Sequence, residues 1–307
     1  MATTKSKKTT AKKSSTKPKA AASKSVKTVK TEAAVVEKPI SSTKKSGNPF
    51  KGFFAKKVTP YNDPNENILT IFKTPKIWGG ILGEVIGTML LTMVFLTIGL
   101  YQPLYVLIAM IAITMVVYSL SGAHLNPINT VGMMATRRIS AIRGILYIVA
   151  QVVGAWFGLL IINGFRTAGG SAVDLPTITA LESATIWPNI FIELIGAIII
   201  SFFFSRAQSY RTERGVFQYA ALVAGGYILA ILLGIIISSN LMQLSNNFVM
   251  NPAAAIMYQI FPTTADNFGA LMGDAALACA VYILVPMIGG VLGFFLSDFA
   301  KDLSKEN

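Results

Sequence analysis

The sequence predicts an all-α membrane protein with six transmembrane helices, two half-length re-entrant helices and an internal repeat whose halves are inverted. Three observations carry this. Apolar residues are 53% of the 307 and charged residues 13%, with a mean hydropathy of +0.57, where a soluble domain carries roughly 25% charge. Apolar segments of spanning length occur six times. Two Asn-Pro steps, Asn126-Pro127 and Asn251-Pro252, lie 125 residues apart, each after an apolar stretch and each followed by small or apolar residues.

Residues 1–60 hold sixteen lysines against two glutamates, whereas residues 61–307 are close to neutral. The first fifty contain few aromatic or branched apolar residues, too few to offset the entropy of ordering, so a disordered Lys-rich tail is predicted over 1–60. No apolar signal core precedes the first span. Simple solvation, contact with anionic lipid and phosphate binding are the three readings of the tail. Nucleic acid is the least supported, because no base-recognition motif is legible.

Residues 61–307 form the second predicted unit. Its apolar segments fall at roughly 78–100, 104–120, 141–163, 187–207, 217–240 and 277–298, each near the ~20 residues that cross a hydrocarbon core. Pro103 makes a tight junction between the first two. Six crossings put both termini on one side. Basic residues choose that side: the tail, Arg137, Arg138, Arg143, Arg206, Arg211, Arg214 and Lys301 alternate with loops whose main basic residue is Arg166, so both termini are expected to be cytoplasmic.

Asn is a good helix cap and Pro a good first helical residue, so each Asn-Pro step starts a helix. Residues 127–136 and 252–261 are too short to cross at 1.5 Å per residue. They fit half-length helices, tolerated at membrane depth only where protein or a water-filled cavity surrounds them. Asn48-Pro49, at the tail boundary, reads as a turn or surface cap.

Other landmarks repeat in register. Glu84-Val-Ile-Gly87 returns as Glu193-Leu-Ile-Gly196, and Tyr147-Ile-Val-Ala-Gln151-Val-Val-Gly154 returns as Tyr282-Ile-Leu-Val-Pro286-Met-Ile-Gly289. Repeat one covers about 78–163 and repeat two about 187–298. Each holds three spans, so the second enters from the opposite face. The short helices would then meet near the midplane, their positive ends opposing cations while the Asn amides offer donors to neutral solute oxygens.

Chemistry is poorly supported. Cys279 is the single cysteine and His124 the single histidine, which excludes an intrachain disulfide and a Cys/His metal cluster. No nucleophile and base group stands out, so neither an enzyme nor a cofactor is expected.

With these motifs in place, SGAHLNP around Asn126, the duplicated Glu-x-x-Gly, Ala-Gln-x-x-Gly in the third span and the second Asn-Pro-Ala, the chain resembles the aquaporin and glycerol-facilitator family over roughly 78–298. The resemblance implies one pore per subunit, usually a homotetramer, conducting water, glycerol or other small uncharged solutes across the lipid bilayer. By position, Asn126 and Asn251 become the central donors and Pro127 and Pro252 the helix starts. Glu84 and Glu193 become the buried carboxylates that hold the loops. His124 falls at a loop position that lines the conduit, senses pH or holds loop geometry.

Two departures matter. Ile128 stands where the family usually has alanine, adding bulk between the short helices. Ala254 stands where it usually has the filter arginine, and Ala255 removes the aspartate usual in glycerol facilitators. Family register gives a filter of Val106, Ser239, Phe248 and Ala254, with no histidine and no arginine, wider and less polar than a water-only filter. Arg166 is a candidate to refill the arginine's volume. A glycerol-like facilitator, a water-selective channel and a non-conducting structural relative remain distinct readings.

Overall fold

A computed structural model describes residues 68–98, 102–170, 183–211, 215–244, 248–258 and 275–304. The predicted tail and Asn48-Pro49 lie outside these residues. One helical turn, α1 (Ile68–Ile71), precedes α2 (Pro75–Thr97), α3 (Pro103–Ser121), α4 (Pro127–Ala135) and α5 (Ala141–Ala168). Then come α6 (Ser183–Ala207), α7 (Val216–Ile235), α8 (Pro252–Tyr258) and α9 (Val285–Leu303). Among the described residues six helices are long and apolar enough to cross a membrane, Pro75–Thr97, Pro103–Ser121, Ala141–Ala168, Ile186–Tyr210, Val216–Leu241 and Ala275–Leu303. They match the six predicted segments, and the third continues to Ala168 rather than stopping at 163.

Local chemistry sets the ends. Proline opens α2, α3, α4 and α8, where its missing N–H costs nothing. Gly122 ends α3 in the left-handed region at φ 85°, which glycine adopts without strain. Ser140 caps α5 by accepting from the Arg143 N–H at 3.2 Å. Two π-helical stretches, Ile236–Leu241 after α7 and Ala280–Leu284 before α9, interrupt the last two spans, a form frequent at functional sites.

The sequence-matched glycines make equivalent packing contacts. A methyl added at Gly158 on α5 would stand 2.7 Å from the Met89 carbonyl of α2, and one at Gly154 would meet Val85. On α9, Gly289 lies against Leu194 and Gly293 against Ile198 and Phe202 of α6. The third span of each repeat thus approaches the first at backbone distance, as small residues allow in apolar surroundings. Large apolar side chains such as Leu104, Ile108, Val116, Trp187 and Phe299 point outward, the reverse of a water-soluble surface.

A buried ion pair fixes the far end of α4. Arg138 pairs with Asp298, donates to Ser205 Oγ at 2.9 Å and lies over the Phe294 ring at 5.0 Å. Phe294 fills the space that glycine leaves at position 132. The residues leaving α4 are therefore tied to both α6 and α9.

Candidate functional site

The two Asn-Pro segments meet through a reciprocal exchange. Each asparagine first caps its own helix, Asn126 Oδ1 accepting from the Ile128 N–H at 3.0 Å and Asn251 Oδ1 from Ala253 at 3.1 Å and Ala254 at 3.4 Å. Each amide nitrogen then donates to the other segment. Asn126 Nδ2 reaches the Met250 carbonyl at 2.8 Å, and Asn251 Nδ2 reaches the Leu125 carbonyl at 3.3 Å. The acceptor in both cases is the residue just before the opposite asparagine, and both sit in the left-handed region, Leu125 at φ 55° and Met250 at φ 51°. Non-glycine residues adopt that conformation only when their surroundings over-determine it.

Those surroundings explain the repeated Glu-x-x-Gly. Glu84 accepts from the His124 N–H at 2.9 Å and the Leu125 N–H at 2.8 Å. Glu193 accepts from Val249 at 2.6 Å and from Met250 at 3.0 Å. Each carboxylate thus takes the two N–H groups before its asparagine, and both are fully buried. Three residues on, the glycine makes room for the strained side chain, Gly87 for Leu125 and Gly196 for Met250. One helical turn supplies both an acceptor and a seat.

The two ends differ in polarity. Around Asn126, Gln151 donates to Glu84 at 2.7 Å and to Thr130 at 3.0 Å, Thr130 donates to the Asn126 carbonyl at 3.3 Å, and Asn129 donates to the His124 carbonyl at 3.1 Å. His124 Nδ1 lies 3.2 Å from Thr130 Oγ1. With the single hydroxyl proton committed to Asn126, this network assigns the imidazole proton to Nδ1. Tyr147 and Phe204 meet the ring edge-on at 5.3 and 5.5 Å, so His124, 2% exposed, is held as part of its loop. In the second repeat the corresponding residues are Val249, Ala254, Ala255 and Pro286. There Ala255, Ala278, Val281 and Tyr282 form an apolar cluster.

Ile128 is seated in helix packing. Its side chain and carbonyl both lie where a methyl on Gly290 of α9 would stand, 2.6 Å away. Gly290→Ala is therefore expected to lose about 1–3 kcal/mol by overpacking. Unfolding in detergent should show this loss, with Ile128→Ala recovering part of it in the double variant. Strict additivity would disprove the pairing.

The positions that the family resemblance assigns to a filter are distributed as follows. Val106 and Phe248 are buried in the same apolar cluster, and Ala254 is 2% exposed on the first turn of α8. The α7 residue beneath the Phe248 ring is Gly234, where an added methyl would meet the ring at 2.7 Å. Ser239 lies five residues later, half-buried in the π-helical stretch. Its neighbour Ser238 turns inward and donates to the Gly234 carbonyl at 2.8 Å. Gly234 was not singled out from the sequence, since nothing about a lone glycine in an apolar span marks it as a ring's seat. Arg166 donates to the Leu96 carbonyl at 3.2 Å, capping the end of α2.

Among the described residues no cluster of His, Cys, Asp and Glu could hold a metal ion. Residues 71–297 match the model of the family described as Major intrinsic protein. The chain is 31% identical over 188 residues to "Glycerol uptake facilitator protein-like 6" of Lactiplantibacillus plantarum, covering 60% of this chain and 79% of that one. It is 43% identical over 61 residues to "Aquaporin PIP2-5" of Oryza sativa subsp. japonica, covering 18% and 22%. The aquaglyceroporin structure from Plasmodium falciparum superposes with a TM-score of 0.49 at 20% identity, covering 72% of this chain and 93% of that one. Six spanning helices, the paired Asn-Pro segments and a family match across most of the sequence lead to one conclusion: the chain is an integral, multi-pass membrane protein of the major intrinsic protein family, whose members are aquaporin and glycerol-facilitator channels rather than enzymes.

Proposed function

We propose that this protein is a passive channel for glycerol or similar small polyols together with water, passing through a filter that lacks arginine. The observation that carries the reading is Ala254, a methyl group on the first turn of α8, in a set whose other members, Val106, Phe248 and Ser239, carry no charge either. Gly234 beneath Phe248 adds no bulk. A less polar, wider opening favours solutes whose carbon backbone can lie on apolar walls. The name of the L. plantarum relative points the same way.

In this reading α4 and α8 are half-length helices entering from opposite membrane faces, and the Asn126 and Asn251 exchange lies near the midplane. Repeat one and repeat two rest on the matched sequence landmarks and both cytoplasmic termini on the basic-residue pattern, with residues 1–60 a separate Lys-rich tail able to contact anionic lipid. The functional unit is a homotetramer, and outward apolar side chains meet lipid or neighbouring subunits. Ile128 is assigned to packing on Gly290, so Ile128→Ala should leave flux per folded channel unchanged.

Light scattering from proteoliposomes after osmotic shock tests the proposal. Glycerol re-swelling well above protein-free liposomes is the expected result. Fast water flux without glycerol flux would replace this reading with a water-selective channel, and no flux above control would replace it with a non-conducting relative.

A further inference from the structure

The described chain enters its first span through a turn that is apolar on two sides. Ile71 is buried and packs with Ile77 and Tyr147. Phe72 follows Ile68 and Leu69 by one helical turn and shares their side of it, and these three and Trp78 are between 40% and 79% exposed. The Phe72 and Trp78 rings lie 5.7 Å apart, and the indole N–H donates to the Phe72 carbonyl at 3.0 Å. The polar atom of the indole is thus satisfied within the turn. Lys73 and Lys76, both exposed, fall between the two rings in sequence.

Ile142 and Leu146 of α5 pack against the inner cluster, which places the turn at the end of the bundle where α4 leads into α5. That end also carries Arg137, Arg206 and Lys301, since Arg138, Ser205 and Asp298 join the ends of α4, α6 and α9. The acids described there are Asp298, paired with Arg138, and Asp302. Arg166 lies at the other end of α2, on the Leu96 carbonyl.

We propose that residues 68–78 are a docking surface for anionic phospholipid in the leaflet at this end of the bundle. Ile68, Leu69, Phe72 and Trp78 enter the boundary between headgroups and acyl chains, and Lys73 and Lys76 meet the phosphates. Depth and charge both support this. The 23 residues of α2 rise about 34 Å, more than the ~30 Å hydrocarbon core, and with two lysines at this end the excess falls here, at headgroup level. Sixteen lysines against two glutamates precede the turn in residues 1–60, a charge that an anionic leaflet attracts. The inference is independent of which solute the channel passes.

Trp156→Phe with Trp187→Phe leaves Trp78 as the sole tryptophan of the full chain. Its fluorescence is then measured in proteoliposomes containing equal shares of phosphatidylglycerol and phosphatidylcholine, with one or the other brominated on its acyl chains. Both should quench Trp78, phosphatidylglycerol with a roughly two- to fivefold preference. Lys73→Gln with Lys76→Gln should remove most of that preference and keep the quenching. Arg206→Gln with Lys301→Gln, which takes two charges from the same end, should leave the preference as it was. Equal quenching by the two lipids in the unaltered surface overturns the proposal, as does an equal fall in both pairs of variants. Absence of quenching also overturns it, and assigns the surface to a neighbouring subunit or to the chain's own N-terminal segment.

Discussion

Replacing Glu193 with alanine is expected to abolish flux and to cost about 2–6 kcal/mol of stability, since two buried N–H groups would be left unpaired at about 1–3 kcal/mol each. The size of the effect follows from the asymmetry of the site. Near Asn126 the loop is also tied by Gln151, Thr130 and Asn129, whereas the positions matching His124, Thr130 and Gln151 in the second repeat are Val249, Ala255 and Pro286. Glu193 is thus the side chain on which the Val249 and Met250 N–H groups depend. Glu193→Gln keeps one carbonyl oxygen and should retain part of both stability and flux. Unfolding in detergent and proteoliposome swelling on the same preparations test this. An alanine variant as stable as wild type would show that the carboxylate is dispensable to the loop.

Ala254→Arg is expected to lower permeability to polyols larger than glycerol by roughly tenfold or more, with glycerol less affected and water changing least, because a guanidinium adds both bulk and fixed charge at the proposed filter. Ala254 is buried on the first turn of α8, its N–H directed at Asn251 Oδ1. Permeability measured across a series of solutes of increasing size decides the matter. Equal loss for every solute would point to misfolding and remove the width argument.

Much of the fold was legible because its signals are local. The spans follow from length and apolarity, and the Asn-Pro starts from cap chemistry, which the structure repeats at Asn126 and Asn251. What could not be read were relations between distant segments. Nothing local in Glu84 or Glu193 says that each takes two N–H groups from a loop 40 to 57 residues further on. Gly290 is unremarked in an apolar helix until Ile128 is placed on it. Counting residues back from Asn251 reaches Ser239, while the ring of Phe248 rests on Gly234. The π-helical stretch breaks the link between sequence distance and height along the helix. Arg166 was visible as a charge, but the Leu96 carbonyl that takes its hydrogen bond was not.

The exchange at the centre also sets a timetable for biogenesis. Asn126 donates to the carbonyl of Met250, which lies 124 residues later in the chain. Synthesis proceeds at about 5–20 residues per second, so the amide waits roughly 6–25 s for its acceptor to exist. The strained backbone at Leu125 waits equally for the Asn251 amide that binds its carbonyl. During that interval the Asn126 amide and the Leu125 carbonyl lack the partners that the second half supplies. Lipid offers them no partner. Completion of the centre is therefore a late event, set by arrival of the second half, and a chain stopped before Met250 could not make the exchange.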